Sequence, residues 1–354
     1  MIKLLHAADF HLDSAFSALP PEQSARRRQE QRLVLEQLAA AAEGCDLVLL
    51  SGDLFDSARI YRDTLDALKH FFAACGVPIF IAPGNHDYLA PGSPYLTEDW
   101  GDNVHIFSSR EVTCVHLAHC DVYGAAFTTP EMPSLLDGFH VQNPDTVNVM
   151  VLHGDMQPNS PYAPMTQAQI ACSGLDYLAL GHVHSQESGT CGSTTYAYPG
   201  CLMGRGFDEC GQKGALQAVV SKGHCETKFL PIHSRKYEIL TVEAGEDSLT
   251  SICAALPKDT QEDCYRIILT GESDAPDVGT LEQALEHLFF SLSVLDRTVP
   301  RQALWAACGE DTLRGQFLRI LREQYDDADE DRRRIISRAV KLTIALMDGR
   351  EVTI

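Results

Sequence analysis

Apolar and polar positions alternate along the first third of the chain in blocks rather than residue by residue. Ile2–Ala8, Asp46–Ser51 and Val77–Ala82 are apolar runs of strand length, with Leu47-Val48-Leu49-Leu50 the core of the second. Such runs lack the in-out alternation of a half-exposed strand, so they predict strands buried on both faces. Between them, Ser24–Glu43 and Asp63–Cys75 have helical spacing. The first carries a stripe through Leu33, Val34, Gln37 and Leu38, and the second through Leu65, Leu68 and Phe72. A β-α-β-α-β order predicts parallel strands with helices packed on the faces. It also places the loops that follow the strands on one edge, where such sheets bind ligands.

Further along the pattern loosens. Pro91–Gly101 reads as a loop with at most a helical turn. Short strands are expected at Asn103–Phe107, Glu111–His116 and Cys120–Tyr123, and buried ones at Asn148–Leu152 and Asp176–Leu180. Thr194–Tyr198, Ala215–Ser221 and Cys225–Pro231 follow, the last two as a hairpin around Lys222-Gly223-His224. The expectation for residues 1–235 is a two-sheet α/β sandwich. Residues 236–300 read as a small α/β unit and residues 301–354 as a helical segment. In that segment Leu313, Phe317, Ile320 and Leu321 form one stripe, and Ile335, Ile336, Val340 and Met347 a second. Asp329, Glu330 and Asp331 mark the start of the second helix, where the helix dipole favours acids.

Composition narrows the function. The chain has 354 residues and a formal net charge of −21. Residues 1–235 carry 14 basic and 26 acidic groups, residues 236–300 carry 4 and 13, and residues 301–354 carry 10 and 10. This argues against a free-standing polyanion binder, which needs a basic surface. No apolar run is long enough to span a membrane. His6 and Asp9 interrupt the N-terminal apolar stretch, so it does not read as an export signal. The twelve cysteines include no C-x-x-C pair and are expected to be reduced thiols of a cytoplasmic protein.

The candidate chemistry sits where the strands end. Asp9, His11, Asp53, Asn85, His153, His182 and His184 all lie in stretches directly after apolar runs. Asp, Asn and His suit hard or borderline divalent ions. Seven ligands exceed the needs of one ion and suit two, and Asp53, on the second strand, is placed to bridge them. His6, His70, His105, His116, His119, His140, His224, His233 and His287 read as ordinary core or surface side chains. Asp13 and Asp155 are candidates to support the ligands or merely to cap loops. Arg26-Arg27-Arg28 reads as a solvated helix face, whereas Arg59 and Arg62 follow the Asp53 loop and are candidate phosphate contacts.

The stretches D-x-H, G-D-x-x-D, G-N-H-D, H-G-D and G-H-x-H, at Asp9, Gly52, Gly84, His153 and Gly181, resemble the calcineurin-like metallophosphoesterase superfamily. The opening Leu5-His6-Ala7-Ala8-Asp9-Phe10-His11-Leu12-Asp13 and Gly52-Asp53-Leu54-Phe55-Asp56 are similar to its SbcD-type nuclease subunits of DNA repair. So are Tyr198-Pro199-Gly200-Cys201, Phe207-Asp208-Glu209 and Lys213-Gly214, with Cys201 replacing the usual Ser. The length and the closing Gly349-Arg350-Glu351-Val352 resemble the shorter YhaO-type members.

The resemblance implies a metallophosphoesterase two-sheet sandwich flanked by helices, with a small α/β capping domain and a C-terminal helical segment. It implies one ion on Asp9, His11, Asp53 and His184, and another on Asp53, Asn85, His153 and His182. His86 would contact the phosphate and protonate the leaving oxygen, oriented by Asp56. The implied activity is manganese-dependent hydrolysis of DNA, 3′-to-5′ exonuclease and also endonuclease. The implied partners are a second copy of the chain and an SbcC-like coiled-coil ATPase docking on the C-terminal stripes. The open alternatives are a hydrolase of small phosphoesters on the same ions and a non-catalytic scaffold.

Overall fold

In the computed structural model, which describes residues 1–57, 59–273, 276–300 and 305–349, the first apolar run forms strand β1, Ile2–Ala7. Its side chains serve two cores. Leu5 and Ala7 enter one and Ile2 and Leu4 another, which is why the run shows no polar face. The strands that follow are β2 Leu47–Leu50, β3 Ile79–Ile81, β4 Val104–Ile106, β5 Thr113–His116 and β6 Cys120–Gly124. Then come β7 Val147–His153, β8 Tyr177–Gly181, β9 Glu187–Cys191, β10 Thr194–Tyr198, β11 Gly214–Ser221 and β12 His224–Pro231. Two six-stranded sheets result, in the orders β12-β11-β1-β2-β3-β4 and β5-β6-β7-β8-β10-β9. Strands β1 to β4 run parallel, as do β6, β7 and β8, while β11 pairs antiparallel with β1.

The core between the sheets holds Leu4, Leu49, Phe80, Val149, Val151 and Ala179. Helices α1, Pro21–Ala41, and α2, Arg62–Cys75, bring Val34, Leu35, Leu38, Leu68 and Phe72 to the outer side of the first sheet. Met150, Leu152, Leu178 and Leu180 pack outside the second, with Ile170 of the short helix α4, Gln167–Cys172. The helical turn in the 91–101 loop is α3, Pro94–Thr97. Neither α4 nor β9 carries an apolar period. The first depends on a capping box between Thr166 and Gln169, and the second on pairing with β10.

Helix α1 departs from the expected stripe. Leu33 is 51% exposed, and the buried face runs Ser24, Arg27, Gln31, Val34, Leu35, Leu38. Arg26-Arg27-Arg28 is therefore not a solvated face throughout. Arg27 is fully buried and donates to the Gly204 carbonyl at 2.7 Å and to Glu30 at 2.6 Å, contacts that offset the cost of burying its charge.

From Arg235 onward the chain forms a second unit. Its strands β13 Tyr237–Glu243, β14 Cys264–Thr270 and β15 Ser291–Asp296 make a parallel sheet in that order. Helices α5, Ser248–Ala255, and α6, Val278–Leu285, cover it through Ile252, Leu281 and Leu285. The helices Leu313–Asp326 and Glu330–Met347 pack on one another through Leu318, Ile336, Val340 and Ile344. Asp329 caps the second helix, accepting from the Arg332 amide at 2.8 Å. Lys341 ties that helix to Asp296 at the end of β15, at 2.9 Å. Each expected stripe is core in part. Ile336 and Val340 are buried and Phe317 and Leu321 pack against them, whereas Leu313, Ile320 and Ile335 are 77%, 58% and 59% exposed, because Leu318 takes the inward position. Arg350, Glu351 and Val352 of the closing stretch, and the 301–304 start of the expected helical segment, lie outside the described residues. Among the described residues no helix is long and apolar enough to cross a membrane, and the twelve cysteines are free thiols.

Candidate metal centre

The loops after β1, β2, β3 and β8, with His153 as the last residue of β7, carry the seven expected ligands to one edge of the sandwich. The first two are stitched together by backbone bonds, Asp9 N to Gly52 O at 3.1 Å and His11 N to Asp53 O at 2.9 Å. Four ligands have positive φ: Asp9 at 54°, His11 at 44°, Asp53 at 52° and His182 at 106°. Side chains avoid this backbone region at a cost of about 1–3 kcal/mol per residue, so strain is concentrated where the ligands converge. Two glycines admit the close approach. A Cβ at Gly84 would collide with the Asp53 carboxylate, and one at Gly181 with the Ser51 carbonyl.

Two pockets share Asp53. In the first, His11 Nε2 lies 3.2 Å from His184 Nε2 and 3.7 Å from Asp53 Oδ2, and His184 Nε2 lies 3.8 Å from Asp9 Oδ1. In the second, Asn85 Oδ1 lies 2.8 Å from His153 Nε2 and 3.2 Å from His182 Nδ1, and His153 Nε2 lies 3.4 Å from Asp53 Oδ2. The imidazoles are tethered at their other nitrogens. His153 Nδ1 donates to Ser51 O at 2.9 Å, and His184 Nδ1 donates to Glu209 Oε1 at 2.7 Å. Both therefore turn an Nε2 lone pair inward, toward carboxylate and carbonyl oxygens that are acceptors too. Acceptors facing acceptors at these distances repel unless a cation lies between them, so the donor set fits divalent ions.

The electrostatics agree. Burial lowers the pKa values of His11, His153 and His182 to about 4, which leaves them neutral and ready to coordinate. Burial, then the Asp53 charge beside it, pushes the Asp9 carboxyl well above its usual range. Two carboxylates forced together in a dry site are what a bound cation reverses.

Several supports had no role assigned from the sequence. The buried Asp87 accepts from Leu54 N at 2.6 Å, Gly84 N at 2.7 Å, Asp53 N at 3.2 Å, Phe55 N at 3.3 Å and Tyr95 Oη at 2.6 Å, binding the second and third loops together. Gln31 Nε2 donates to the His11 carbonyl at 2.8 Å. Burial raises the Glu209 pKa, but bonds from His184 and Arg205 outweigh it and hold the carboxyl well below its usual range. Glu209 lay in a quoted motif without a function, and Arg205 carried no signal.

The expected Asp56–His86 pair is not a carboxylate–imidazole contact. His86 Nδ1 lies 3.3 Å from the Asp56 backbone carbonyl. The Asp56 carboxylate is taken instead by Arg205 Nη1, at 3.0 Å, and lies 3.3 Å from His11 Nδ1. The main chain of His86 is anchored to Asp53, its amide donating to Oδ1 at 2.9 Å, and its ring is exposed. Asp13 caps the start of α2 through Tyr61 N at 2.8 Å and Thr64 Oγ1 at 2.7 Å. Asp155 accepts from Gln157 N at 2.9 Å and lies 3.8 Å from His182 Nε2. Arg62 is paired with Asp66 at 3.2 Å and lies 3.6 Å from Glu98, while Arg59 is exposed.

Comparisons with known proteins bear on this geometry. Residues 2–186, which include all seven ligands, match the calcineurin-like phosphoesterase family. The chain is 30% identical over 317 residues to YhaO of Bacillus subtilis (strain 168), an uncharacterized metallophosphoesterase, with 81% of this chain and 77% of that one covered. It is 26% identical over 223 residues to the DNA double-strand break repair protein Mre11 of Aeropyrum pernix, covering 57% of this chain and 54% of that one. To the SbcD component of the SbcCD nuclease from Staphylococcus saprophyticus it is 22% identical over 281 residues, covering 68% and 71%. The chain belongs to the calcineurin-like phosphoesterase family.

Proposed function

We propose that this protein is a manganese-dependent phosphodiesterase that acts on DNA as an SbcD-type exonuclease, with endonuclease activity on the same site. The observation that carries the reading is the pair of pockets meeting at Asp53 Oδ2, 3.7 Å from His11 Nε2 and 3.4 Å from His153 Nε2. DNA as substrate rests on the names of the Mre11 and SbcCD relatives.

Asp9, His11, Asp53 and His184 would hold one divalent ion, and Asp53, Asn85, His153 and His182 the other. Bound there, the two ions supply Lewis-acid charge on the phosphate and a strong nucleophile at neutral pH. His86 does the proton work. With Nδ1 on the Asp56 carbonyl, Nε2 is the atom left to meet the phosphate and protonate the leaving oxygen. Asp56 thus orients His86 through its main chain. Arg59 is the DNA-backbone contact of this reading, and Arg62, paired with acids, is the lesser one. A coiled-coil ATPase docks on exposed Leu313 and Ile320, and the chain works as a homodimer.

The net charge of −21 favours a second reading, hydrolysis of small phosphodiesters without a DNA track. Purified protein with Mn²⁺ is offered duplex DNA, single-stranded DNA and bis-p-nitrophenyl phosphate. Nucleotide release from DNA ends supports the nuclease. Hydrolysis of the small diester alone supports the second reading, and no hydrolysis of any substrate overturns both.

A further inference from the structure

Arg205 takes no part in the proton transfer or in the ligand set, yet it joins the two imidazoles of one pocket. Nη1 donates to Asp56 Oδ1 at 3.0 Å, and Nη2 donates to Glu209 Oε1 at 2.7 Å. Nε also bonds Glu209, at 3.2 Å, and the Arg205 amide donates to Glu209 Oε2 at 2.8 Å. Beyond these carboxylates stand His11 Nδ1, 3.3 Å from Asp56, and His184 Nδ1, 2.7 Å from Glu209. On the pocket side His11 Nε2 and His184 Nε2 face each other at 3.2 Å. One cation and two carboxylates thus stand against both imidazoles of the first pocket, Glu209 by a hydrogen bond and Asp56 as a 3.3 Å contact.

We propose that Arg205 is a positioning residue of the first pocket: its guanidinium clamps Asp56 and Glu209 so that both imidazoles keep Nδ1 protonated and turn Nε2 toward one ion. The inference rests on the two-ion reading of the centre. Two forces compete when Arg205 is removed. Loss of a positive charge beside the pocket strengthens the attraction for a dication. Loss of the clamp frees the Asp56 carboxylate, leaves Glu209 with the residue-205 amide and His184 alone, and loosens both rings. Arg205 is partly solvent-exposed, so the charge effect is softened by water. Partners that orient metal-bound histidines are worth about 10–100-fold in metal affinity, and orientation wins. Lysine does not substitute, because a single ammonium lacks the planar fork that spans two carboxylates. In the second pocket His153 is held by the Ser51 main chain and does not touch the Arg205 network.

The test uses full-length, metal-free protein: wild type, Arg205→Met and Arg205→Lys, titrated with Mn²⁺ by calorimetry. Wild type takes up two ions. Each variant keeps one ion at wild-type affinity and binds the other about 10–100-fold more weakly. Two ions held at wild-type affinity or tighter, or both weakened equally, overturns the inference. Nitrogen-resolved NMR of the metal-free wild type is the second readout and needs no variant to fold. It shows His11 and His184 protonated at Nδ1, and Nε2 protonation at either ring also overturns the inference. In folded variants these two rings become tautomer mixtures while His153 is unchanged, which a purely structural arginine would not produce. Fewer than two ions on wild type refutes the two-ion reading itself, and is read without any variant.

Discussion

The two pockets of the metal centre are built differently. The imidazoles of the first are held by side chains: His184 by Glu209 at 2.7 Å, and His11 beside Asp56 at 3.3 Å. In the second, His153 is held by a backbone carbonyl, that of Ser51 directly after β2, at 2.9 Å. A carbonyl fixed in a sheet has one position and no charge state. A carboxylate has rotamers, a proton equilibrium and a partner of its own to satisfy. His153 is therefore held as firmly as the main chain that follows β2, while the imidazoles of the first pocket are as firm as their salt-bridge network.

Asp53 belongs to both pockets, so it is where the contrast should vanish. Asp53→Asn keeps the shape and removes the charge of the shared oxygen. It should weaken Mn²⁺ uptake in both pockets and lower diester hydrolysis by more than the roughly 10²-fold that loss of a supporting partner costs. Calorimetry and turnover measure the two effects. If only one ion weakens, Asp53 serves a single pocket.

His86 is a ligand in neither pocket of the proposed reading, although a ring nitrogen lies within 4.8 Å of a His11 nitrogen and an Asp53 oxygen. Its Nδ1 contacts the Asp56 carbonyl, and its amide donates to Asp53. His86→Gln should keep both ions and lose turnover by roughly 10²–10⁴-fold, the usual worth of general acid catalysis. Loss of an ion in this variant would place His86 among the first-pocket ligands.

The smallest effect concerns the wall behind the second pocket. His6 is fully buried, with Nε2 3.0 Å from Ser51 Oγ and Nδ1 2.9 Å from Tyr177 Oη. Burial, opposed by the Leu180 carbonyl, lowers its pKa from 6.5 to about 3. The unfolded chain therefore binds one more proton than the folded chain within that window. The stability contributed by neutral His6 is complete above about pH 6.5 and is lost as pH falls toward 3, by about 1.4 kcal/mol per pH unit. Denaturant unfolding of the metal-free protein between pH 4 and 6 should show His6→Gln with a slope shallower by nearly that amount. Equal slopes in both proteins would mean that His6 is protonated in the fold.

The sandwich was legible because both sides of its central strands are buried, and a run such as Leu47-Val48-Leu49-Leu50 has no other use. Helix α1 was less legible, since its buried face begins with Ser24, Arg27 and Gln31. Gln31 and Arg27 are turned inward by the carbonyls of His11 and Gly204, and no hydrophobic count detects that. In the helix Leu313–Asp326 the choice between Leu318 and its neighbours was made by the facing helix, which the helical period alone cannot specify. Asp56 was expected to reach His86 because the family resemblance implied that pair. Arg205, 149 residues away, claims its carboxylate instead.

By itself the sequence determined the candidate ligands and the strand ends on which they sit, because a polar residue following an apolar run is a local pattern. Tertiary structure decided which of these side chains meet. His11 and His184 are 173 residues apart and meet only because β1 and β8 end on the same edge of two stacked sheets. It also decided which side chains orient them, a choice between polar groups that share no period and are brought within 3 Å only after the apolar faces have packed.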